Sequence, residues 1–229
     1  STYYGGRSEI HIRREVTQVL YCDFTSMYPT VCTLMGLWPF VIAQGMTWQD
    51  STEQTRQFLE AVTLDDLQRS DTWRKLSTLV QVMPNGEIFP VRAKYGDDDH
   101  KEPQYTIGTN HLTSEAPQWF ALADCIAAKL LTGRAPQIVQ ALSFVPKHMQ
   151  DGLTPVNIAG NTDYRVDPRT GDFFKQVIDL RASIKASIKS APAGEKLALG
   201  TQQLALKILA NSTSYGIFVE LNVEEDKYL

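Results

Sequence analysis

The chain has 229 residues, 43% of them hydrophobic and 21% charged, which excludes a disordered chain and allows one large domain or two small ones. No apolar run reaches the roughly 18 residues of a membrane span, and the first residues lack the apolar core of a signal peptide and an initiator Met. A formal net charge of −4 excludes a uniformly basic surface, yet residues 175–207 hold six cations against two acids, a local +4 that leaves −8 for the rest.

In chain order, "IHIRREVTQVLYCDF" alternates and then becomes continuously apolar, which predicts a hairpin whose second strand enters a core. "TVCTLMGLWPF" reads as a short helix closed by Gly36 and Pro39. Residues 53–69 read as a helix with Phe58, Leu59, Val62 and Leu67 on one side. "TLVQVMPNGEIFPVRAKYG" reads as strand, turn, strand, with Asn85-Gly86 as the turn, and "QYTIGTNHL" as a further strand. "APQWFALADCIAAKLLTG" has Pro117 at a helix start and Gly133 at its end, and "APQIVQALSF" suggests a second short helix. After a loop-like stretch over 150–171, two long helical segments, about 172–190 and 195–213, are separated only by "SAPAG" and should pack antiparallel. The expected class is α/β (α+β), a body of mixed sheet and helices with an α-hairpin arm.

Cys22, Cys32 and Cys125 are too few and too scattered for a disulfide framework or a zinc site, so a reducing intracellular compartment is expected. Asp23 stands at the end of an apolar run in "YCDFTSMYPT". Such a carboxylate suits Mg²⁺, which takes one or two carboxylates plus substrate phosphate oxygens; it equally suits a turn or helix cap. Arg181 and Lys185 are four residues apart on the first arm helix, and Lys207 and Asn211 have the same spacing on the second. Antiparallel packing could gather these groups into one phosphate-binding surface; spacing alone favours a solvated basic face.

Together these segments resemble a known family. "DFTSMYPT" resembles motif A of the family B DNA polymerases, D-x-x-S-[LM]-Y-P-S, and "KILANSTSYG" (207–216) resembles their motif B, K-x-x-x-N-S-x-Y-G. "YYGG" (3–6) is similar to the Y-x-G-G element between their exonuclease and polymerase parts, and Arg181 with Lys185 matches their first fingers helix. The elements stand in family order across nearly the whole chain, while the interval 34–172 carries little of the signal. The resemblance implies a partial polymerase palm with an α-hairpin fingers arm: palm with motif A over 1–52, a region of unassigned role over 53–171, fingers over 172–216, and a return to the palm over 217–229. It implies template-directed deoxynucleotidyl transfer to a primer 3′ end, with Mg²⁺ (or Mn²⁺), deoxynucleoside triphosphates as substrate and primer–template DNA as partner, in a DNA-associated intracellular setting. Asp23 would hold the metal. Phe24, Thr25, Ser26 and Met27 would turn their amides to the triphosphate, and Tyr28 would lie under the deoxyribose and exclude a 2′-hydroxyl. Arg181, Lys185 and Lys207 would grip the phosphates, with Lys207 also countering charge in the transition state. Asn211 and Tyr215 would line the nascent base pair, while Tyr3, Gly5, Gly6 and Gly216 would contact DNA.

Three departures stand out. Motif B carries one extra residue, which either leaves Lys207, Asn211 and Tyr215 on one helical stripe or is absorbed in a π-bulge. The interval from motif A to the arm is longer than in typical replicative members, and protein-primed members carry an inserted subdomain there. The family's second metal-binding acids, in its D-T-D motif C, are absent; "KYGDDDH" (94–100) mimics that motif in the wrong order and reads as a solvated hairpin tip. The chain alone is therefore expected to be inactive, its missing carboxylates coming from the rest of a parent chain or from a partner subunit. The alternative is a non-catalytic nucleotide- or nucleic-acid-binding module.

Overall fold

The computed structural model describes residues 12–24, 26–95 and 104–214. Tyr3, Gly5, Gly6, Thr25, Asp97 to Asp99, Tyr215 and Gly216 lie outside them. The chain divides into two compact units: residues 12–22 with Leu34–Asp151, and Asp23–Thr33 with residues from Gly152 onward. The segment Asp23–Thr33 thus groups with the arm, and the long interval between them groups with the residues before Asp23.

The stretch expected to form a hairpin, residues 12–24, adopts no strand. Val16, Leu20 and Phe24 are 102%, 91% and 77% exposed. An apolar run becomes a strand only when a neighbour takes up its backbone hydrogen bonds, and no described strand does so. The chain then forms helix α1 (Met27–Leu34). Gly36, at φ +66°, turns the chain after it. Pro39 does not close this helix; it stands in the first turn of α2 (Trp38–Val41), where its missing N–H costs nothing.

The first unit is built on a four-stranded sheet in the order β1-β6-β2-β5. Its strands are β1 (Ala43–Asp50), β2 (Thr78–Met83), β5 (Gln118–Ala121) and β6 (Gln137–Met149). A second sheet pairs β3 (Asn85–Tyr95) with β4 (Gln104–Thr113). The long helix expected over 53–69 stops early: α3 spans Thr52–Ala61, and Val62 turns to an extended ψ of 135° before a 3₁₀ turn and the short α4 (Ser70–Trp73). The helix expected from Pro117 starts later, as α5 (Leu122–Thr132), because 118–121 pair with β2. Its expected end holds: Gly133 adopts φ +71° and donates to the Lys129 carbonyl.

Two further expectations are corrected. "APQIVQALSF" is strand β6, not a helix. It is paired on both edges, and a fully flanked strand has an apolar run that periodicity cannot tell from a helix. Asn85-Gly86 is not the turn between β2 and β3, which do not pair. Asn85 faces Thr113 and Glu87 faces Leu112, so Gly86 (φ +90°) is the extra residue of a bulge. The Asn85 amide donates to the buried Glu87 carboxylate at 2.7 Å, and Arg134 meets the same carboxylate at 2.9 Å.

The core of this unit joins Leu59, Val80, Val82, Leu122, Ile126 and Ile138, with Phe89 stacked on Phe120 at 4.2 Å. All described pairings are antiparallel, so the sheet expected to be mixed is not, and the class is helices beside antiparallel sheets, α+β.

In the second unit, residues 152–172 hold only the two-stranded β7 (Val156–Asn157) and β8 (Arg165–Val166) with a 3₁₀ turn between them. The expected arm follows as α6 (Phe173–Ser190) and α7 (Ala193–Ser214). Val177, Ile184, Leu206 and Ala210 are buried between them. Among the described residues, no helix is long and apolar enough to cross a membrane.

Candidate functional site

The motif A segment turns sharply before it winds up. Ser26 has φ +49°, in the left-handed region that few side chains adopt, and its carbonyl accepts the Thr30 N–H at 3.0 Å to open α1. Met27 therefore begins the helix, where amides lack intrahelical acceptors and the dipole end is positive. Pro29 fits the first turn because its nitrogen has no hydrogen to satisfy, and it is buried.

Two observations tie this segment to the arm. The Arg181 guanidinium donates from Nη1 to Ser26 Oγ at 2.5 Å, across 155 residues of sequence. Cys32, late in α1, has its thiol pKa raised by burial and, less, by the Asp172 carboxylate. Asp172 in turn caps α6 by accepting the Lys175 amide at 3.2 Å.

Arg181 is half-buried, and its Nε is buried with no hydrogen-bond partner. A guanidinium held this way has one donor engaged and another still to be satisfied. It borders a cleft of about 370 Å³ that Ser26, Lys185 and Lys189 also line, with Ile178, Ala182 and Ala186 as its apolar wall. Among the described residues, no carboxylate lines this cleft. Lys189 belonged to the basic arm at the level of sequence but not to the expected site; its signal was the repeat of the four-residue spacing beyond Lys185.

Lys207, on α7, is exposed and does not line the cleft. Asn211 follows one turn later and is half-buried. The helix is regular α through Ser214, so no described residue forms the π-bulge considered for the extra motif B residue.

Asp23 and Phe24 are exposed, and Tyr28 is 41% exposed, so this ring is not a core aromatic. None of the three lines the cleft. Among the described residues, no three His, Cys, Asp or Glu side chains gather as a metal group. A divalent ion at Asp23 would draw its other ligands from water and substrate, which is the habit of Mg²⁺. Comparisons with families of known proteins, with curated proteins and with solved structures found no match.

Proposed function

We propose that this chain is the palm-and-fingers portion of a family B DNA-directed DNA polymerase, acting on deoxynucleoside triphosphates and primer–template DNA with Mg²⁺ or Mn²⁺. One observation carries the reading: the motif A serine and the fingers arginine, 155 residues apart, are bonded to each other beside a cation-lined cleft. Two segments singled out independently by resemblance have a physical reason to meet if both serve one triphosphate. Asp23 would hold the metal, which bridges the phosphates and neutralises their charge. Arg181, Lys185 and Lys207 would clamp the phosphate chain and stabilise charge that develops as the bond to the leaving group breaks. Tyr28, 41% exposed at the opening of α1, would stack under the sugar. Two-metal transfer needs a second acidic group, so primer extension would require carboxylates from a parent chain or partner subunit.

A separate observation favours a protein-primed member. The interval between motif A and the arm has its own sheet and core, as an inserted subdomain would. The rival reading, a non-catalytic nucleotide-binding module, shares the phosphate cleft but not the sugar and metal preferences. Equilibrium titration of the chain with deoxynucleoside triphosphates tests the choice. Binding that requires Mg²⁺ and weakens at least about tenfold in Asp23→Asn and in Lys207→Ala supports the polymerase reading. Binding indifferent to metal and to Asp23 supports the rival.

A further inference from the structure

Beyond the three expected cations, α6 presents a fourth at the far end of the same cleft. Arg181, Lys185 and Lys189 recur every four residues, so they form one slowly turning stripe about 12 Å long along the helix axis. Ala182 and Ala186 stand beside them and are too short to obstruct approach to the stripe. The nearest acid on the helix, Asp179, is engaged with Lys175 at 2.5 Å and lies outside the cleft. Among the described residues, the cleft therefore offers three cations, one hydroxyl and an apolar wall, with no competing carboxylate. Like charges along one helix face repel weakly, and a polyanion lying along the row would relieve that repulsion.

We propose that Lys189 is a phosphate-binding residue, and that the Arg181–Lys185–Lys189 row binds a linear polyphosphate: the tail of a nucleoside triphosphate, or free pyrophosphate or tripolyphosphate. This inference rests on the polymerase reading only for the nucleoside; the phosphate row stands on the cleft alone. A monophosphate cannot reach from one end of the row to the other, so the site selects by chain length. Arg181, oriented by Ser26, fixes one end, and Lys189 on its flexible stem catches the other.

The test is displacement of a trinitrophenyl-labelled ATP from the full chain by inorganic phosphate, pyrophosphate and tripolyphosphate. The proposal expects tripolyphosphate to compete best and Lys189→Ala to weaken it about 3- to 10-fold, the range for losing one partly solvated charge-assisted contact. Lys189→Arg should retain binding, inorganic phosphate should be indifferent to both changes, and Lys147→Ala in β6 should change nothing. Unaltered tripolyphosphate binding in Lys189→Ala overturns the proposal, as does a wild-type chain that binds no polyphosphate. If tripolyphosphate depends on Lys189 while Mg²⁺ and the deoxynucleoside add no affinity, the row stands and the polymerase reading falls. If deoxynucleoside triphosphates bind through Asp23 and Lys207 with Lys189 neutral, the reverse holds.

Discussion

Ser26→Ala removes the hydroxyl that accepts Arg181 Nη1 and leaves a guanidinium whose Nε already lacks a partner. A hydrogen bond to a charged group contributes about 1.5–3 kcal/mol net when well buried. Both residues here are half-buried, so about 1–2 kcal/mol is expected. Loss of that size raises the open population about 5- to 30-fold. The left-handed backbone at Ser26 allows the hydroxyl and the backbone to be separated. Ser26→Gly loses the same bond but is relieved of the strain a side chain meets at φ +49°, so it should be about 1 kcal/mol milder than Ser26→Ala.

Amide hydrogen exchange followed by mass spectrometry resolves the effect by segment. The slowest amides of α1, α6 and α7 should exchange about 5- to 30-fold faster in Ser26→Ala and less so in Ser26→Gly. Those of β2 and β6, in the other compact unit, should not change. Unaltered exchange in the arm would refute the claim that this bond ties the segment around Ser26 to α6. Equal acceleration in β2 and β6 would refute its confinement to one unit.

Tyr28→Ala should cost less than about 1.5 kcal/mol, against about 3–5 for a buried aromatic, and should bring the affinities for ribo- and deoxyribonucleoside triphosphates together; denaturant melts and paired titrations check both. Burial raises the Asp124 pKa, with the Ala121 amide opposing it at 3.2 Å. The folded state then holds that proton more tightly than the unfolded chain, so stability falls as pH climbs from the ordinary carboxylate range through the raised value. Asp124→Asn should flatten that part of the stability–pH curve. Exposed Cys22 should react with a thiol reagent at once and half-buried Cys32 slowly, whereas Cys125, whose thiol burial pushes far up, should react only on unfolding; mass spectrometry of labelled peptides reads the order.

The arm was legible because its signals are local: a short Pro-containing break and cations at four-residue spacing. Helices obey nearby residues, and α6 and α7 fall within about two residues of the expected ends. The sheets were less legible because pairing is decided by distant partners. Nothing near Ile138 announces that β1 and β2 flank it, and nothing near Asn85 announces that β3 leaves β2 for β4. Residues 16–21 have strand composition but no described partner, so composition misled. In the candidate site, the charged residues could be named from their spacing, but the contact between Ser26 and Arg181 could not: a hydroxyl in a turn carries no mark of its partner. Lys189 carried the same four-residue spacing, but spacing does not separate a cleft lysine from a solvated one; what stands around it does.

Paramagnetic broadening by Mn²⁺ bound with a deoxynucleoside triphosphate reads the central claim most directly, since broadening falls steeply with distance from the metal. Substoichiometric Mn²⁺ and dATP should broaden the amides of Asp23, Ser26 and Met27 together with those of Arg181, Lys185 and Lys189, and Asp23→Asn should abolish both effects. Broadening confined to one of the two segments, or centred on the sheet residues of the other unit, would contradict that claim.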